Sequence, residues 1–158
     1  MSTKQSKHAS GRVQTPEPMG QEVITVYEAL ALAVGDIALN GVIQYFKLPA
    51  GCVPVGYKIS PYDADSGVAA IAADFGLLDT AGTAVSSAAA DGGKWLTASA
   101  LLQAATLVTS DASKTTFDAL KSVTPSTVDR IVGFVITTAA ATAVDGTMGV
   151  EFSYKAAN

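Results

Sequence analysis

Gly146-Thr-Met148-Gly-Val150-Glu-Phe152-Ser-Tyr154-Lys155 decides how this chain is read. Met148, Val150, Phe152 and Tyr154 alternate with Gly149, Glu151, Ser153 and Lys155, a period of two that gives a strand one apolar and one wet face. Val53, Val55, Tyr57 and Ile59 alternate in the same way with Pro54, Gly56, Lys58 and Ser60, and are expected to face inward. Pro54 has no N–H to give to a ladder, so this run belongs at a sheet edge or carries a bulge near its start. Val128–Thr138 is denser in apolar residues and reads as a central strand covered on both sides. Asp36–Leu48 is similar, with Gly41 as a bulge or hairpin break and Pro49-Ala-Gly51 as a turn. Ile24, Val26, Leu30, Leu32 and Val34 supply a first strand or strand pair.

One stretch departs from this pattern. Leu101, Leu102, Ala105 and Val108 stand at three- and four-residue spacing, which predicts a short helix within Thr97–Val108 capped by Thr97 or Ser99. Ala81–Lys94 holds one large aliphatic residue, Val85, and reads as a surface loop. Seven or eight short strands between Gly, Pro and Asp turns, with no repeat of fixed period, indicate an all-β antiparallel β-sandwich.

The 158 residues suit one domain. With 49% hydrophobic and only 15% charged residues, the chain can bury a core and is not disordered in composition. A formal charge of −4 argues against wrapping nucleic acid. No run reaches the length of a membrane span, and no apolar segment follows the basic amino terminus as a signal peptide requires. The chain therefore reads as a soluble product of a reducing cytoplasm, with neither nucleic acid nor membrane as partner.

Residues 1–20 differ from the sandwich domain, residues 21–158. Lys4, Lys7 and Arg12 against Glu17 give this segment +2, leaving −6 on the rest. Pro16, Pro18, Gly11 and Gly20 with few large apolar side chains predict a flexible, extended basic arm. It is either a frayed end or a segment that orders on an acidic partner surface. In the second case Lys4, Lys7, Arg12, Pro16 and Pro18 are the contact candidates, and removing the arm would leave the sandwich's stability nearly unchanged.

Chemistry is sparse. Asp63-Ala-Asp65-Ser-Gly67 resembles the start of a calcium loop, and Asp63 and Asp65 are the metal candidates. The acidic closing ligand is missing, and an ordinary Asp/Ser/Gly turn accounts for the same residues. Asp74 and Asp79 read as solvated loop carboxylates. Trp95 is either a core anchor or a stacking platform, and Cys52 a small buried hydrophobe. One histidine, His8, and one cysteine make no nucleophilic set and no His/Cys metal site. No enzyme activity and no cofactor are expected.

Several segments in order resemble capsid decoration (cement) or accessory head proteins of tailed phages. They are Val34-Gly-Asp36 with Ile43–Phe46, Leu48-Pro-Ala-Gly51, Asp63-Ala-Asp65, Asp74-Phe-Gly-Leu77 with Asp79, Asp129-Arg-Ile-Val132, Thr138-Ala-Ala140, and Gly146-Thr-Met-Gly-Val150 before Tyr154. The similarity spans about Val23 to Ala156 and leaves the arm outside. It implies a sandwich of jelly-roll type, without catalytic residues. It also implies binding to the major capsid protein on the outside of a head, where homotrimers near three-fold positions bridge capsomers. The site of action would be the virion surface, after synthesis in the bacterial host cytoplasm. Two other functions compete: a tail or baseplate component, and a carbohydrate-binding module, which needs an exposed aromatic platform.

Overall fold

The computed structural model describes residues 2–20, 22–67, 70–105, 108–109 and 114–157, and for 108–109 and 114–117 only the backbone. Among these residues nine strands form two sheets. The strands are β1 (Thr3–Gln5), β2 (Val23–Leu32), β3 (Val42–Leu48), β4 (Cys52–Ser60), β5 (Ala72–Leu77), β6 (Lys94–Ser99), β7 (Val108–Thr109), β8 (Arg130–Thr138) and β9 (Gly146–Ala156). One sheet runs β1-β3-β8-β5-β6 and the other β2-β9-β4-β7. Every pairing is antiparallel except β1 with β3.

The decisive stretch behaves as its alternation dictates. In β9, Met148, Val150, Phe152 and Tyr154 are fully buried between the sheets. Phe152 stacks on Phe46 across the sandwich at 5.8 Å, on Trp95 at 6.1 Å and on Tyr154 at 5.7 Å between ring centroids. Trp95 also stacks on Tyr57. Trp95 is thus a core anchor, and so offers no platform for a sugar. The Tyr45 hydroxyl crosses from β3 to donate to the Met148 carbonyl at 2.8 Å, and burial pushes its pKa up.

β8 is central and covered on both sides. Val132, Phe134 and Ile136 enter the main core, while Val135 joins Val42, Leu78 and Val85 in a small cluster on the outer face. The loop expected over Ala81–Lys94 supplies Val85 to that cluster, bridged to Leu78.

Three expectations are corrected. In β4 the register shifts between Pro54 and Gly56, so Cys52 and Pro54 point inward before the bulge, and Tyr57 and Ile59 after it. Val53 is half-buried and Val55 exposed, because the extra residue reverses the phase. The second correction concerns Thr97–Val108. Its start belongs to the edge strand β6, and Leu101–Gln103 is a single 3-10 turn. Pairing with β5 outweighs the helical spacing, and Ala98 adopts a positive φ of 43°. Residues 106–107 lie outside the described set. The α-helix is α1 (Lys114–Ser122), which delivers Leu120, and Val123 just beyond it, to the core. Third, in Asp36–Leu48 the break expected at Gly41 is present, but the part before it holds the Val34–Ile37 3-10 turn and no strand, so β3 begins at Val42.

Candidate partner interface

The residues singled out for partner contact lie in the amino-terminal segment. Thr3-Lys4-Gln5 carries no apolar alternation, yet its backbone pairs in parallel with Val42-Ile43-Gln44 as an edge strand. The ladder continues at both ends, with Val42 N–H donating to Ser2 C=O at 2.8 Å and Ser6 N–H to Gln44 C=O at 2.9 Å. Ser6, 1% exposed, then turns the chain. Its hydroxyl donates to the Tyr45 carbonyl and accepts from His8 N–H at 3.1 Å and Ala9 N–H at 3.0 Å. The segment is therefore folded onto the sandwich in this structure. Main-chain bonds and one buried serine hold it, where the sequence reading looked for apolar side chains.

The basic residues do find carboxylates, but in their own chain. Lys4 Nζ lies 3.4 Å from Asp36, and Lys7 Nζ 3.8 Å from Glu28. His8 Nε2 stands 3.6 Å from the same Glu28 oxygen, and its ring tilts over Phe46 at 5.9 Å. Arg12 is exposed, and Pro18 half-buried. Pro16 offers its carbonyl to the Tyr154 hydroxyl at 2.5 Å, and burial pushes that phenol's pKa up to about 12. Glu28 was missed in the sequence. The signal was there: it occupies the inward phase of β2, between Val26 and Leu30, where a carboxylate needs a cationic cover.

The metal candidates are also resolved in geometry. Asp65 is 2% exposed and accepts N–H bonds from Thr142 and Ala141, both at 2.8 Å, from Ala70 at 3.0 Å and from Gly67 at 3.4 Å. Asp63 accepts the Asp65 N–H at 3.2 Å. Four peptide dipoles converge on one carboxylate, which suits an anion and leaves no set of free oxygens for a hard cation. Gly67 permits the approach, since a Cβ there would lie 2.7 Å from the Thr142 hydroxyl. Among the described residues no group of three His, Cys, Asp or Glu side chains is placed to hold a metal. Asp74 is not a solvated loop carboxylate: it is buried in β5, 2.5 Å from Lys94 Nζ, and accepts the Ala98 N–H. Asp79 does close a turn, accepting from Thr83 and Ala84.

The bonds to Asp65, led by the one from Thr142, hold its carboxyl well below the usual carboxylate range. A depressed folded-state pKa contributes stability at pH values above the unfolded one, about 4, and loses it progressively below. Asp65→Asn should therefore melt below the parent at pH 7, and the gap should narrow as pH falls through the acid range. Melting curves at pH 7 and pH 2.5 with a constant gap would remove the charge from this account.

No family model matches the chain, and no curated protein matches it. Solved structures do. A chain of the capsid of Ralstonia phage GP4 superposes with a TM-score of 0.80 at 26% identity, covering 99% of both chains. A chain of the cyanophage Pam1 capsid asymmetric unit superposes with a TM-score of 0.58 at 19% identity, covering 92% of both. Both neighbours are chains of phage capsids. The second likeness speaks for the fold alone. The first reaches beyond the Val23–Ala156 span seen in the sequence, because 99% coverage takes in the amino-terminal segment as well.

Proposed function

We propose that this chain is a structural virion protein that binds the outer surface of a phage head and stabilises the capsid by bridging capsomers. The observation that carries the proposal is the end-to-end likeness to a chain of the GP4 capsid. Strand order supports the reading: apart from β1, the sheets run β2-β9-β4-β7 and β3-β8-β5-β6, an order compatible with the eight-stranded double Greek key of a jelly roll, an architecture used in viral capsids. The partner is the major capsid protein, with copies grouped as homotrimers near three-fold positions. The mechanism is multivalent: each copy adds a modest interface, and repetition over the shell turns modest contacts into resistance to bursting.

Heads lacking this protein, mixed with the purified chain and run through a density gradient, are expected to carry it at a fixed ratio to the shell protein. They should also withstand heat or chelation better than bare heads. A chain that stays at the top of the gradient at micromolar concentration would overturn the proposal. Binding to tails in place of heads would move the function to the tail.

A further inference from the structure

An edge strand displays unpaired N–H and C=O groups, and proteins usually blunt such edges with shortness, bulges, lysine or proline. Among the described residues the edges are β1, β6, β7 and β2, and the first two follow that rule. β1 has three residues. β6 has two register shifts against β5 and starts at Lys94. The fourth edge is β2: ten residues in unbroken register with β9, with no proline, lysine or arginine. Among the described residues no backbone group other than those of β9 bonds to it. Its single charge, Glu28, points inward beneath Lys7 and His8.

Side chains mark the same place. Of the eight exposed large apolar residues among those described, Val23 and Tyr27 lie on β2, and Met19 and Val34 within four residues of its ends. Ile24 and Leu30 face inward with Val26 and yet remain only half-buried, one on each side of the point where Lys7 and His8 cover Glu28.

We infer that β2 pairs antiparallel with β2 of a second copy about a two-fold axis at Tyr27, joining the two four-stranded sheets into one. Residues opposite each other in an antiparallel pair share a face, so each two-fold register must centre on a residue. The two centres that retain most of the strand are Tyr27 and Glu28. Centring on Glu28 sets two buried carboxylates face to face. Centring on Tyr27 sets Glu28 opposite Val26 and seats the half-buried Ile24 against Leu30 of the other copy. On the outer face the same register matches Val23 with Ala31 and Thr25 with Ala29, large against small, with no charge on either side. With a second copy as the occupant, charge and shape thus select one register. The contact is isologous and closes on itself. It does not depend on the capsid reading, and it is compatible with three-fold grouping, since an icosahedral shell has both kinds of axis.

Cysteine cross-linking of the full chain tests the register. Facing Cα atoms in such a pair lie about 4.5–5.5 Å apart, within disulfide reach. Tyr27→Cys is expected to give an SDS-resistant dimer on mild oxidation at about 100 μM, whereas the wild type, with only buried Cys52, gives none. Thr25→Cys alone should not cross-link, because its copies stand four residues out of register, about 13 Å apart. The double variant Thr25→Cys, Ala29→Cys should cross-link as Tyr27→Cys does, which guards against a Tyr27 variant that misfolds. Adding Ala29→Lys to Tyr27→Cys should cut the yield at least fivefold. Yields at the wild-type level in both Tyr27→Cys and the double variant would overturn the inference. So would Thr25→Cys cross-linking as well as Tyr27→Cys, or bonds formed only to a shell protein on heads.

Discussion

Phe152→Ala should destabilise the fold by about 3–5 kcal/mol, the range for emptying a buried aromatic site. The ring is fully buried in the middle of β9 and stacks on Phe46, Trp95 and Tyr154. Those three neighbours come from β3, β6 and β9 itself, so the ring joins both sheets. Rigid aromatic walls collapse poorly into a vacated space, which places the cost toward the upper end. Aromatic pairing adds about 0.5–1.5 kcal/mol per pair beyond the area term. For a domain of this size, 1 kcal/mol corresponds to roughly 2–4 °C in melting temperature, so a fall of about 6–20 °C is expected. Thermal and denaturant unfolding of the variant measure it directly. A loss below about 1 kcal/mol would mean that Phe152 does not face the sandwich interior.

That residue was legible from the sequence, and the reason is general. An uninterrupted strand packed on one face writes its structure as a period of two, and β9 has no bulge to disturb it. β4 shows the limit of the same logic. Its alternation predicted four inward residues, and the bulge after Pro54 sent two of them outward. Proline signalled a bulge but not the direction in which the phase would slip. β3 hides its geometry in the opposite way: a bulge between Gln44 and Phe46 lets adjacent Tyr45 and Phe46 both enter the core. The helix was misplaced because Leu101, Leu102, Ala105 and Val108 make a dense apolar stripe in sequence, whereas among the described side chains the helix gives the core Leu120, with Val123 just beyond it. β1 left no trace in the sequence at all. A strand held by main-chain bonds at a sheet edge needs no apolar side chain, so composition alone separated it from the sandwich. The role of His8 was invisible for a related reason: it means nothing until the segment is laid over Glu28 of β2.

Removal of residues 2–18 is therefore expected to weaken the sandwich itself, in contrast to the stability-neutral deletion that composition suggests. The losses can be named. The five backbone bonds or pairings from Ser2 to Ser6 along β3 disappear, and the Tyr45 carbonyl loses the Ser6 hydroxyl. Tyr154, fully buried, loses the Pro16 carbonyl. Glu28 loses both Lys7 and His8. Each neutral hydrogen bond is worth about 0.5–1.5 kcal/mol net, and the ion pairs of exposed Lys4 and Lys7 about 0–1 kcal/mol. Against these gains stands the ordering entropy of the segment, which the freed chain regains and which cancels most of them. The surplus is small by comparison, and a net loss of about 2 kcal/mol on deletion, or roughly 4–8 °C, is the expected result. Ser6→Ala isolates the pivot of the segment: it leaves the Tyr45 carbonyl and the N–H groups of His8 and Ala9 without their partner, at a cost of about 1–3 kcal/mol. Moderate salt should recover little of either effect, because the ion pairs carry the smaller share. If the truncated chain melts within 1 °C of the full one while Ser6→Ala is silent as well, the segment is no part of the folded unit. Any contribution it then makes to a virion would come from reaching a neighbour as a tether.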